Sequence, residues 1–172
     1  IKILKNHLGA NNFKKVIDGS KILLNKLPNN DYLFNLTGMA YQGLSQHQNA
    51  IKFFNEALKL APNNIAAMNN LANSYKELNF LDSAMLHYEN VIATTKSEAA
   101  AEAKYNICHI YFLREDYTAC ETQIMELVQQ KPTYDYWLAK GILLLGDNFT
   151  QLKDYFNARH SLQSIIDNYD GP

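Results

Sequence analysis

A period of 34 residues runs through this chain, and a fixed repeat of that length decides the architecture before any local propensity is weighed. In residues 31 to 64, Gly38, Tyr41, Ala50, Phe54, Ala57 and Pro62 hold the eighth, eleventh, twentieth, twenty-fourth, twenty-seventh and thirty-second places. Residues 65 to 98 keep the frame with Leu71, Ala72, Tyr75, Ala84, Tyr88 and Val91, losing only the proline, where Lys96 stands. Residues 1 to 30 fit a copy without its opening places, through Leu4, Leu8, Val16, Leu23 and Pro28. Two extra residues near Ala99 shift the frame, which Ile107, Cys108, Tyr111, Cys120, Ile124, Leu127 and Pro132 recover over 101 to 134. Four more residues intervene before Leu145, Gly146, Phe149, Ala158, Leu162 and Ile165 give a last copy over 139 to 172.

This pattern is what two antiparallel helices need in order to pack. Small side chains at the eighth and twentieth places let the helices approach, and large ones at the eleventh and twenty-fourth fill the space beside them. Proline closes the second helix, while short polar stretches such as Ser45-Gln46-His47-Gln48 and Asn63-Asn64 supply the turns. No segment sustains the two-residue alternation of a strand, so the fold class is all-α, a solenoid of about five helical hairpins. Four inserted residues are about one helical turn. The frame therefore predicts that Asp135 to Leu138 lengthen the first helix of the last hairpin, with Tyr136 and Trp137 projecting beyond the neighbouring helix ends.

With those places filled, the chain resembles the tetratricopeptide repeat (TPR) family over its whole length. The resemblance implies a single array over residues 1 to 172, a right-handed superhelix whose first helices line a concave face. It implies a non-catalytic interaction scaffold that holds an extended peptide or a segment of a partner protein in that groove. The stretch Leu71-Ala72-Asn73-Ser74-Tyr75 looks like repeats in the arms of O-linked glycosyltransferases, and Tyr136 to Tyr169 looks like TPR proteins of Bacteroidetes. The first of these suggests an alternative, the substrate-selecting TPR arm of a larger enzyme. A first residue other than Met and an end just after a helical pattern suggest a fragment of a larger protein.

In this family the second, fifth, sixth, ninth, twelfth and thirteenth places of each first helix point into the groove. The predicted peptide-binding residues are Asn35, Met39, Asn69, Asn70, Asn73, Lys76, Tyr105, Asn106, His109 and Lys140, accompanied by Tyr32, Gln42, Phe112, Leu143 and Asp147. A side-chain amide both donates and accepts, so it can pair with the backbone of an extended peptide whatever its sequence. Asn70 and Asn106 share the sixth place, as in the asparagine ladder of the glycosyltransferase arms, and are expected to face solvent in the free protein. Replacing them would then weaken binding without changing stability. The carboxylate clamp of heat-shock co-chaperones is matched at Asn73, Asn106 and Lys140, but Asn69 and Leu144 replace its other cations, and the charge-assisted bonds go with them.

Other chemistry finds little support. Sixteen Lys and Arg nearly cancel seventeen Asp and Glu, leaving no positive field for nucleic acid. No stretch reaches the roughly 18 to 20 apolar residues of a membrane helix. The five histidines are scattered with no HExxH or CxxC, and no Gly-rich phosphate loop or GxSxG elbow is present, so no metal, cofactor or catalytic residue is expected. Asn35-Leu36-Thr37 and Asn148-Phe149-Thr150 match a glycosylation sequon but fall within helical patterns. Cys108 and Cys120 hold the eighth and twentieth places of one repeat and are expected as small buried hydrophobes, not as a redox switch. Most aromatics fall on packing places; Tyr32, Tyr105, Phe112, Tyr136 and Trp137 do not, and are candidates for partner contact. With no polar capping helix after Tyr169, Leu162, Ile165, Ile166 and Tyr169 are expected to leave apolar area open to self-association.

Overall fold

The computed structural model describes residues 1–169; the last three places of the repeat predicted over 139 to 172 lie outside the described residues. Among the described residues there are ten helices, and each predicted repeat contributes two. They are α1 (Lys2–Gly9) and α2 (Phe13–Lys26), α3 (Asp31–Gly43) and α4 (His47–Leu60), α5 (Ile65–Glu77) and α6 (Leu81–Thr94), α7 (Glu98–Leu113) and α8 (Tyr117–Val128), and α9 (Asp135–Gln151) and α10 (Tyr155–Asn168). No strand occurs among the described residues.

The chain forms two compact units, Ile1–Thr94 and Thr95–Pro172. In the first, consecutive helices α1 to α6 pack pairwise, and α3 also touches the first helices on either side, α1 and α5. In the second, α7 to α10 pack in the same succession, with α7 against α9. A first helix that meets its own partner, the preceding second helix and the preceding first helix buries two sides and leaves one open.

The eighth and twenty-fourth places explain the spacing of each hairpin. A Cβ built on Gly38 would lie 2.5 Å from the ring of the fully buried Phe54, so α3 and α4 approach as closely as they do only because Gly38 has none. Gly146 faces Leu162 in the same way across α9 and α10, at 3.2 Å. Cys108 and Cys120 are both fully buried, in one cluster with Ile124 and Leu144. Burial pushes the Cys108 thiol up to about 12 and the Cys120 thiol up to about 11, with each further raised by neighbouring negative or ionisable groups. Such thiols stay protonated and packed, as the repeat frame expects.

Every hairpin turns in the same way. Asn11, Ser45, Asn79, Glu115 and Lys153 have φ between 57 and 61°, and all five stand at the fifteenth place of the frame. In each turn the next residue's N–H reaches back five residues to the first helix, as in Gln46 to Tyr41, Phe80 to Tyr75 and Asp116 to Tyr111. This closes the helix end with a left-handed residue and satisfies carbonyls that would otherwise be orphaned. Several second and first helices start on a side-chain cap: Asn30, Asn64, Asp116 and Asp154 accept from backbone N–H groups three residues on, at 2.9 to 3.1 Å.

Two boundaries differ from or extend the predicted frame. The extra residues near Ala99 do not form a loop: α7 begins at Glu98 and runs straight through them, because Glu98-Ala99-Ala100-Ala101 is strongly helix-forming. At the last hairpin the expected turn is present, since α9 has 17 residues where α3 and α5 have 13.

Candidate functional site

The predicted groove residues fall on the first helices α3, α5, α7 and α9, divided between the two units. In the first unit, amides join α3 to α5. Asn70 donates through Nδ2 to Asn35 Oδ1 at 3.3 Å, and Gln42 Nε2 donates to both the Asn70 carbonyl and Ser74 Oγ, each at 3.3 Å. Asn35 turns its own Nδ2 toward Met39 Sδ at 3.9 Å. Asn73 accepts a hydrogen bond from Tyr88 OH of α6, which ties it to its own hairpin. Met39, Asn70, Asn73 and Lys76 are half-buried.

Exposure departs from expectation at three amides. Asn35 and Asn69 are 7% exposed, and Asn106 is 5% exposed with its Nδ2 donating to the Glu102 carbonyl at 3.0 Å. Asn106 therefore does not face solvent, and the expectation that its loss leaves stability unchanged is corrected. A fifth or sixth place on a first helix borders the neighbouring first helix, and a short amide there is covered by it. Asn69 Oδ1 is buried and has no hydrogen-bond partner, a cost of about 1 to 3 kcal/mol unless a water reaches it. Asn35 and Asn148, the two sequon asparagines, are both buried within helices.

In the second unit the predicted residues converge on one spot. Tyr105 stacks parallel on His109, centroids 6.2 Å apart, and meets Trp137 at 5.6 Å. Trp137 in turn sets its edge against Tyr136 at 4.9 Å and 80°. The Lys140 ammonium lies over all three rings, 4.7 Å from the Tyr105 centroid, 5.1 Å from Trp137 and 5.5 Å from Tyr136. Burial raises the Tyr105 pKa, with Tyr136, Cys108 and Asp147 adding to it, so its hydroxyl remains neutral. Trp137 does not project beyond its neighbours as predicted: it packs on Tyr105, and of the pair only Tyr136 is exposed, at 45%.

Part of this grouping was legible in advance, since Tyr136 and Trp137 precede Lys140 by four and three residues and share its helix face. Tyr105 comes from α7 and carries no local signal for the contact. Among the described residues no helix is long and apolar enough to cross a membrane, and no group of three or more His, Cys, Asp and Glu could hold a metal ion.

A repeated hairpin of two helices with a close eighth-to-twenty-fourth contact defines an all-α TPR-type solenoid. A family model described as the Psidin N-terminal TPR repeats region matches residues 4–163, and the chain belongs to that family. Solved structures agree in fold. The crystal structure of MamA is similar with a TM-score of 0.80 at 16% identity, covering 97% of this chain and 94% of that one. MamA from Desulfovibrio magneticus RS-1 gives 0.80 at 20% identity, covering 99% and 94%. The C-terminal part of a TPR repeat-containing protein from Cytophaga hutchinsonii gives 0.82 at 14% identity, covering 98% and 64%. By sequence, an uncharacterized protein, ycf37, of Pyropia yezoensis is 27% identical over 104 residues, which is 59% of this chain and 54%, about half, of that protein. TPR solenoids are protein–protein interaction scaffolds, typically non-catalytic, and that general role is the one this chain's fold supports.

Proposed function

We propose that the open side of the first helices is a recognition surface for an extended segment of a partner protein, and that the chain is a binding module without catalysis of its own. The observation that carries this reading is the half-exposed polar and aromatic content of that side. Asn70, whose Oδ1 accepts no hydrogen bond among the described residues, lies with Met39 and Lys76 in the first unit, and Tyr105, His109 and Lys140 lie in the second. The buried amides Asn35, Asn69 and Asn106 hold helices in register beneath this surface; Asn70, Tyr105 and Lys140 are the groups a peptide would meet. Each neutral hydrogen bond contributes about 0.5 to 1.5 kcal/mol net, so several weak contacts sum to an affinity in the micromolar range. A substrate-selecting arm would use the same side, so one test serves both.

Selection of a phage-displayed random peptide library on the whole chain should enrich sequences that bind it. Replacing Asn70 and Tyr105 together by Ala should weaken those peptides by about tenfold, the sum of one hydrogen bond and one aromatic contact. Selected peptides whose binding is untouched by that pair, but lost on replacing exposed residues of α4, α6 or α8, would place recognition elsewhere.

A further inference from the structure

The turn that lengthens α9 has a use beyond length. It brings Tyr136 and Trp137 to the first-helix side, where with Tyr105 of α7 they give three rings at unlike angles, 41° between Tyr105 and Trp137 and 80° between Trp137 and Tyr136. All three centroids lie within the roughly 6 Å at which a ring quadrupole attracts a cation. Lys140 occupies the space between them, and among the described residues its ammonium has no carboxylate within ion-pair distance. Its three N–H donors are thus held by ring faces alone. The occupant is on a flexible four-carbon stem rooted one turn away on the same helix, so it can leave without moving the walls. Asp147, near enough to act on the Tyr105 hydroxyl, adds negative charge to the rim.

We propose that Tyr105, Tyr136 and Trp137 form an aromatic cage for a cationic side chain of the partner, an alkylammonium or a guanidinium, and that Lys140 is its built-in occupant. The partner's cation enters as Lys140 swings out to solvent. The cage deepens the reading of this side as the recognition surface by naming the chemistry of one partner residue. Occupancy by Lys140 lowers the apparent affinity by the fraction of time the cage is open. Removing Lys140 therefore tightens binding, whereas a site that used Lys140 to grip an anion would lose binding instead.

Trp137 is the only tryptophan, so its fluorescence reports the cage directly. The full chain is titrated with tetramethylammonium chloride against sodium chloride of equal ionic strength. Lys140→Met should give a saturable change with a Kd about three- to tenfold lower than the native chain, as expected for loss of competition by a ring-held cation. Lys140→Met combined with Tyr136→Leu should abolish saturation. In the native chain, the Lys140 ε-methylene proton resonances should lie upfield from the ring currents and return toward ordinary values as tetramethylammonium is added; this holds even if a variant folds poorly. The proposal is overturned if those resonances are unshifted, if Lys140→Met binds no better than the native chain, or if Tyr136→Leu leaves binding intact. Gain of sodium acetate binding that Lys140→Met destroys would assign the site to anions. Because the probe is a small cation, failure here leaves the peptide selection unaffected, and failure of the selection leaves the cage standing.

Discussion

Gly38 and Gly146 hold the same place in two repeats, yet alanine should act in opposite directions at them. In α3 the new methyl would meet three Phe54 ring atoms at 2.5 to 3.0 Å, and Phe54 is fully buried with no room to retreat. Overpacking of that kind costs about 1 to 3 kcal/mol, here toward the upper end, while Gly to Ala within a helix returns about 1 kcal/mol. The net loss for Gly38→Ala is about 2 kcal/mol, or roughly 4 to 8 °C in melting temperature for a chain of this size. In α9 the nearest atom is Leu162 Cδ2 at 3.2 Å, and Leu162 is 43% exposed, so it can move by a few tenths of an ångström. Gly146→Ala should be neutral or stabilising by up to about 1 kcal/mol. Urea denaturation followed by far-UV circular dichroism measures both, and combining Gly38→Ala with Phe54→Leu should cost less than the two changes summed. Equal effects at the two glycines, or strict additivity with Phe54→Leu, would refute the argument that ring burial sets the sign.

Three further outcomes follow from the structure. Glycine at the left-handed residues Glu115 and Lys153 should stabilise by about 0.5 to 1 kcal/mol each, because the left-handed conformation strains a residue with a Cβ, while Asn79→Gly should change little since Asn tolerates it; thermal melts of the three variants compare them. Cys108 and Cys120 should resist iodoacetamide at pH 8 until urea is added, and stability should fall as pH rises above the unfolded thiol value near 9 toward about 11, since only the unfolded chain gives up its thiol protons there. By pH 10 that loss is about 1 kcal/mol per thiol, absent in the Cys→Ala variants. Asn106→Ala should cost about 1 to 2 kcal/mol in a urea titration because its amide is buried and bonded, whereas Asn70→Ala should cost less than about 1 kcal/mol.

The hairpins were readable because their packing is written at fixed places: Gly38 against Phe54, and Cys108 and Cys120 in one core cluster, follow from size alone. The last hairpin's extra turn was readable for the same reason, since four residues return a helix nearly to its starting face. Asparagine was not readable. Asn30 and Asn64 cap helices, Asn11 and Asn79 adopt the left-handed turn, Asn35, Asn69 and Asn106 are buried, and only a structure separates these uses of one side chain. The start of α7 was missed because a run of alanines has no packing size by which to set a register. The cage was half visible, in the i, i+3 and i, i+4 spacing on α9, and half hidden, because Tyr105 reaches it through the packing of α7 on α9.

The recognition claim is tested most directly by two-dimensional NMR of the labelled chain with a selected peptide. Residues of the first helices should move: Met39, Asn70 and Lys76 in the first unit, and Tyr105, His109 and the Trp137 indole N–H in the second. Residues of α4, α6, α8 and α10 that face away should stay fixed. Perturbations confined to those second helices, with Asn70 and the Trp137 indole unchanged, would contradict the account.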